Sequence, residues 1–86
     1  MKLKSSTEKK NKIYSEIDQG NITLQLAIKL LRRSIGKNQI EYAKLAKIST
    51  RILRDFEQGN GNPTLDTMNK IFKPFGVEIY LRRIRR

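Results

Sequence analysis

The chain has 86 residues, no cysteine, no histidine and a formal net charge of +11. This composition excludes disulfides, zinc fingers, cysteine nucleophiles and histidine-based acid–base catalysis. The carboxylates form no pair at a suggestive spacing and no glycine-rich phosphate loop is present, so we expect neither an enzyme nor a cofactor. The length allows one domain. The apolar share of 37% is low, so we expect a marginal core that a second subunit helps to stabilise.

The positive charge lies mainly in residues 21–48 and in the terminal arginines, residues 82–86. Such an excess favours a polyanionic partner, because each neutralised phosphate releases counterions. An anionic membrane surface is the alternative, but the apolar helix faces are needed for the core. No apolar run approaches the roughly 20 residues of a membrane span. We therefore expect a cytoplasmic, nucleoid-associated protein without a membrane partner.

Residues 1–20 are predicted to form a flexible basic N-terminal segment with a short helical lead-in. We expect Met1–Glu8 to be disordered because it is polar and rich in lysine. Asn11–Asp18 has few apolar anchors, enough for one or two helical turns. Thr23 is then a good N-cap for a helix running to about Ile35.

Two short helices with a tight connection follow in residues 38–57. Gly36 is predicted to end the preceding helix in a left-handed conformation. Asn38 and Glu41 form a capping-box pattern, and Ser49 is predicted to cap the second short helix. Apolar residues recur at helical spacing: Ile40, Ala43, Leu45 and Ala46 in the first, and Ile52, Leu53 and Phe56 in the second, with Leu53 and Phe56 expected in the core. So short a connection forces the helices to cross steeply, as in a helix-turn-helix.

The second short helix opens with polar residues suited to DNA. Arg51 lies in its first turn, where an arginine is able to bond guanine bidentately. Thr50 and Arg54 are next on the exposed face, while Asp55 either accepts from cytosine or pairs with a neighbouring arginine. Gln39 begins the first short helix, from which it reaches a phosphate. The alternative for each is an ordinary solvated side chain, and Glu57 is read as a structural or solvated carboxylate.

The C-terminal part changes its periodicity. The turn-rich run at residues 59–63 leads into a helix from Thr64 to about Lys73, which Pro74 ends. Apolar residues then alternate at Val77, Ile79 and Leu81, which predicts a half-buried strand. A single strand has no sheet to join, so we expect it to pair with its copy in another subunit or with the N-terminal segment.

Taken together and in their order along the chain, these features resemble the Cro/CI-like (XRE) helix-turn-helix repressors. The residues that carry the resemblance are Gly36, Gln39, Leu45, Ala46, Ile48, Ser49, Phe56, Glu57, Gly59 and Asn62 to Leu65. The run NPTLDT and the later FGVEIYL resemble the HipB-like antitoxin branch. The resemblance implies an all-α, lambda-repressor-like bundle of four to five helices. Residues 21–76 would form the DNA-binding domain, and residues 77–86 a C-terminal β-strand that pairs across a dimer, followed by the basic tail.

The resemblance also implies site residues and partners. The base-reading residues would be Ser49, Thr50, Arg51, Arg54 and Asp55; the phosphate-binding residues Gln39, Gln58 and Asn60; and the dimerisation residues Val77, Ile79 and Leu81. The implied function is a dimeric repressor of a palindromic operator that also serves as the antitoxin of a kinase-like toxin. The alternatives are a HigA-like antitoxin of a ribosome-dependent nuclease and a stand-alone repressor. Lys47 departs from the family pattern, because the usual turn residue is glycine.

Overall fold

The computed structural model describes residues 6–84. Helices account for its regular structure in that range. They are α1 Ser6–Gln19, α2 Leu24–Ser34, α3 Gln39–Ala46, α4 Thr50–Glu57 and α5 Leu65–Phe72, followed by a 3-10 turn, Lys73–Phe75. The disorder predicted for Met1–Glu8 is wrong for residues 6–8, which belong to α1. Residues 1–5 and residues 85–86, at the end of the basic tail, lie outside the described residues.

Helix α1 is longer than the one or two turns expected between Asn11 and Asp18. It runs for 14 residues and packs along α2 through the buried Ile13. The hydroxyl of Tyr14 donates to the carbonyl oxygen of Phe75 at 3.1 Å, which ties α1 to the end of the bundle. Few apolar anchors therefore suffice, because tertiary packing rather than local propensity stabilises most protein helices.

The ends of α2 are as predicted. The hydroxyl of Thr23 accepts from the backbone N–H of Leu26 at 3.1 Å. Gly36 has a φ of 70°, in the left-handed region, and its N–H donates to the carbonyl of Arg33. Glycine adopts this conformation without steric cost, so the chain turns sharply into α3. No helix in residues 6–84 has the length and apolarity needed to cross a bilayer.

The core lies mainly between α2, α3, α4 and α5, and α1 contributes Ile13. Its buried apolar residues are Ile13, Ala27, Ile28, Leu31, Tyr42, Ala43, Ala46, Leu53, Phe56, Ile71 and Phe72. The predicted core positions Leu53 and Phe56 are confirmed. Of the apolar residues at helical spacing in α3, Ala43 and Ala46 are buried, whereas Ile40 and Leu45 are 57% and 48% exposed.

Tyr42 takes the interior position on α3 that the apolar spacing did not indicate. Its hydroxyl donates to the carbonyl oxygen of Ile71 at 2.6 Å, and its ring stacks on Phe75 with centroids 5.7 Å apart. Burial raises the pKa of Tyr42 above its usual value. The hydrogen bond satisfies a phenol that would otherwise be costly to bury, and it fixes the end of α5 against α3.

The predicted C-terminal β-strand is wrong. Residues 77–84 follow the 3-10 turn as a segment without regular secondary structure, and no strand pairing occurs among the described residues. The three alternating apolar residues also do not form one buried face. Val77 and Ile79 pack against the core, but Leu81 is 93% exposed and contributes nothing to that face.

The backbone of this C-terminal segment is hydrogen-bonded to a side chain instead of to a strand. The Ile79 N–H donates to Oδ1 of Asn69 at 2.7 Å, and Nδ2 of Asn69 donates to the Ile79 carbonyl at 3.2 Å. A side-chain amide offers the same donor and acceptor as a peptide group. The half-buried backbone is therefore satisfied at one residue by α5, which removes the requirement that made a pairing strand seem necessary.

Replacement of Asn69 by alanine should release this segment. Each lost hydrogen bond is worth about 1 kcal/mol, so the Ile79 amide should exchange its hydrogen at least about fivefold faster in Asn69→Ala. The measurement is amide hydrogen exchange by NMR, with the Ala43 amide as an internal reference. Asn69→Asp keeps an acceptor for the Ile79 N–H, so the exchange rate of this amide should lie between those of the wild type and of Asn69→Ala. An unchanged Ile79 rate in the alanine variant would contradict this role.

Candidate nucleic-acid interface

Helices α3 and α4 begin at side-chain caps, as the sequence predicts. Oδ1 of Asn38 accepts from the Glu41 N–H at 2.8 Å, and the Asn38 N–H donates to Oε1 of Glu41 at 2.9 Å, which completes the capping box. The hydroxyl of Ser49 accepts from the Ile52 N–H at 3.1 Å. These bonds satisfy orphan amides at the start of each helix and fix where α4 begins.

The turn between the two helices depends on one residue in a left-handed conformation. Lys47 has φ 61° and ψ 43°, and it is the non-glycine residue with positive φ in the described chain. Its N–H donates to the Lys44 carbonyl, and the Ile48 N–H donates to the Ala43 carbonyl at 3.0 Å. The bonds close α3 and turn the chain into α4, at a steric cost of roughly 1–2 kcal/mol for a residue with a Cβ.

A buried ion pair fixes α4 to α2. Nε of Arg32 donates to Oε2 of Glu57 at 2.8 Å, and Nη2 donates to Oε1 at 2.8 Å. Both residues are buried. Nη1 of Arg32 also donates to the Lys37 carbonyl at 3.0 Å, so the guanidinium spans from α4 to the chain just before α3. The bidentate geometry adds directional restraint to the charge attraction.

Gln39 completes this network. Its Nε2 donates to Oε1 of Glu57 at 3.0 Å. Desolvation alone would raise the pKa of Glu57, but the hydrogen bonds from Arg32 and Gln39 outweigh it and hold that pKa below the usual value. The same bond to Glu57 raises the pKa of Arg32. Both groups are therefore charged, and α2, α3 and α4 meet at a single carboxylate.

The residues predicted to read bases lie at the start and on the outer face of α4. Ser49, Arg51 and Arg54 are exposed, and Thr50 and Asp55 are partly exposed. The side chain of Arg51 is 82% exposed and its Nε lies 3.8 Å from Oδ2 of Asp55. This is the internal pairing considered from the sequence. An exposed pair of this length is weak, so Arg51 is available to other acceptors.

The residues predicted to bind phosphates divide into two groups. Gln58 and Asn60 are exposed beyond the end of α4, and Nδ2 of Asn60 donates to Oε1 of Gln58 at 3.3 Å. Gln39 is half-buried and turned toward Glu57. The structure therefore gives Gln39 a positioning contact that the sequence did not indicate, while its phosphate contact stays a prediction.

The sequence reasoning missed Arg32 and treated Glu57 as a residue without a defined partner. A signal was present. Arg32 lies four residues after Ile28, within the buried face of α2, and Glu57 lies four residues after Leu53, within the buried face of α4. Charges of opposite sign at two core positions indicate a buried pair, because an unpaired charge is too costly to bury.

Two short capped helices joined by a tight turn on a basic chain, with polar and cationic side chains along the outer face of the second, define a DNA-binding helix-turn-helix protein. Comparison with protein families agrees. The family model HTH_3, described as helix-turn-helix, matches residues 28–81, more than half of the chain. The protein therefore belongs to this helix-turn-helix family of XRE-type DNA-binding transcription regulators. No match was found among curated proteins or among solved structures.

The ion pair predicts an asymmetry between single and double substitutions. Glu57→Leu leaves the Arg32 guanidinium buried without its carboxylate and should lower the free energy of unfolding by about 3–5 kcal/mol. Adding Arg32→Met should recover a large part of this loss, because the buried positive charge is then removed too. Urea unfolding monitored by circular dichroism measures the free energy of unfolding of the single and the double variant. Equal or greater loss in the double variant would contradict this account.

Proposed function

We propose that the protein is a sequence-specific transcriptional repressor that binds a palindromic operator as a homodimer. The observation that carries the proposal is the presentation of α4. Its outer face offers Thr50, Arg51 and Arg54, while Glu57 at its other end is held by Arg32. An α-helix fits the major groove of B-DNA, where each base pair has a distinct pattern of donors and acceptors.

The roles of the individual side chains follow from their chemistry. We assign base reading to Ser49, Thr50, Arg51, Arg54 and Asp55, and phosphate contacts to Gln39, Gln58 and Asn60. Arg51 bonds guanine bidentately once its weak contact with Asp55 is exchanged for the base. The buried network supports this, because a helix held rigidly at one end loses less conformational freedom when the other end enters the groove.

The palindrome and the dimer are proposed together. One α4 of eight residues reads only a short half-site. Two copies related by a twofold axis read two half-sites about 34 Å apart, one turn of the double helix. A protein dimer of this kind, placed over a promoter, excludes the transcription machinery by occupancy. Such a DNA partner is consistent with the cytoplasmic location expected from the sequence.

Selection from a randomised duplex library tests the proposal. The wild-type protein should enrich an inverted repeat. Arg51→Ala should then weaken binding to that sequence by about 1–3 kcal/mol and relax the preference at one base position in each half-site. Lys9→Gln, which removes one positive charge from the exposed face of α1, is the matched control for net charge and should retain the wild-type preference.

Gln39→Ala separates phosphate binding from base reading. It should weaken binding to the enriched sequence and to random duplex by similar factors, because phosphate contacts carry no sequence information. Since Gln39 also bonds Glu57, the comparison is made at a temperature at which the variant is fully folded. Failure to enrich any sequence with the wild-type protein, or equal losses on both duplexes for Arg51→Ala, would overturn the proposed base reading.

We further propose an antitoxin role, with a kinase-like toxin as partner, on the resemblance of NPTLDT and FGVEIYL to HipB-like antitoxins. The support is sequence likeness, an association rather than a contact. Co-expression with the product of the adjacent reading frame should yield a complex that still binds the enriched duplex, measured by pull-down and gel shift. A small nuclease as the adjacent product would favour the HigA-like alternative, and the absence of any complex the stand-alone repressor.

A further inference from the structure

A basic cleft lies between the end of α3 and the end of α5. It has a volume of about 450 Å³ and is lined by Leu45, Ala46, Lys47, Lys70, Lys73 and Pro74. The three lysines are exposed, and no carboxylate lines this cleft. None of its residues belongs to α4. We call this surface the lysine cleft.

Lys47 contributes an ammonium to the lysine cleft from a strained backbone position. Its φ of 61° is one that glycine adopts freely and that a residue with a Cβ adopts at a cost. Backbone strain of this kind persists where the surrounding structure enforces it and tends to occur at functional sites. A lysine at this position is therefore a candidate for a functional role, and Lys47 lines the lysine cleft.

Leu45 gives the lysine cleft an apolar wall. It is 48% exposed, whereas the next residue of α3, Ala46, is buried. Pro74 adds a second exposed apolar group. Exposed leucines occur singly on many surfaces, but this one lies within a concave site ringed by cations.

From this combination we infer that the lysine cleft binds an acidic protein segment in which a bulky apolar side chain is flanked by carboxylates. The apolar side chain packs on Leu45 and Pro74, and the carboxylates pair with Lys47, Lys70 and Lys73. Charge complementarity selects an acidic segment and opposes the many basic surfaces in the cell. A phosphodiester backbone would use the lysines but offers no apolar surface to Leu45.

One existing contact must yield to such a partner. Nζ of Lys70 lies 3.7 Å from Oδ2 of Asp66, one turn earlier on α5, and both side chains are exposed. Exposed pairs of this kind contribute little to stability, so exchange of Asp66 for a partner carboxylate is inexpensive. Because the lysine cleft contains no residue of α4, a partner bound there does not depend on the proposed operator contacts.

Lys47→Gly offers a variant that separates binding from folding. It removes the ammonium and at the same time relieves the left-handed strain, so the protein should unfold at the same temperature as the wild type or higher. The probe is a short synthetic peptide in which Leu and Phe are flanked by Asp and Glu. Titrated into isotope-labelled protein, it should shift the amide signals of Leu45, Lys47, Lys70 and Lys73 and leave those of α1 unchanged.

The affinities then distinguish the possible occupants. Lys47→Gly should weaken the peptide about two- to fivefold, the range expected for one exposed ion pair, and Leu45→Ala should weaken it by a larger factor. The matched control Lys9→Gln should bind as the wild type does. A peptide with Gln and Asn in place of its acids should not bind.

Three results would overturn the inference. Signal shifts spread equally over lysines throughout the chain would show non-specific attraction to a protein of charge +11. A random duplex that shifts the cleft signals with no sensitivity to Leu45→Ala would make the cleft a phosphate contact. Binding of the peptide that is unchanged in both Lys47→Gly and Leu45→Ala would place it elsewhere.

Discussion

The bidentate contact between Arg32 and Glu57 is the constraint on which the arrangement of the helices depends. It joins residues that are 25 positions apart in the chain, one on α2 and one at the end of α4. Gln39 adds the first residue of α3 to the same carboxylate. Each charge is acceptable in the interior because the other is present, and the hydrogen-bond directions then restrict how the three helices cross. The outer face of α4 is set by this restriction.

Two tyrosine hydroxyls add further hydrogen bonds between the helices. Tyr42 donates to the carbonyl of Ile71 and Tyr14 donates to the carbonyl of Phe75. Both acceptors lie near the end of α5, where a helix leaves carbonyls without partners of its own. Helices α1 and α3 are therefore tied to the C-terminal part of the fold. Because an 86-residue chain has a small core, directional polar bonds of this kind contribute more to its uniqueness than they would in a larger domain.

The turn between α3 and α4 links two surfaces of the protein. Lys47 holds the left-handed conformation that directs the chain into α4, and it also lines the lysine cleft, which contains no residue of α4. Glycine would satisfy the backbone requirement with less strain. The turn therefore does not require the lysine side chain, and one residue contributes both to the geometry that positions α4 and to a cluster of positive charge outside α4.

The sequence by itself determined the caps of α2, α3 and α4, the starts of α2 to α5 and the basic character of the chain. These follow from residues within a few positions of one another, as in the pair Asn38 and Glu41, where local hydrogen bonds leave little choice. Tertiary structure alone decided that Arg32 pairs with Glu57 and that residues 77–84 form no strand. Alternation at Val77 and Ile79 shows that one face is buried, but a strand also needs a backbone partner. Here the Asn69 side chain supplies it, a contact that depends on where α5 lies and not on any local pattern.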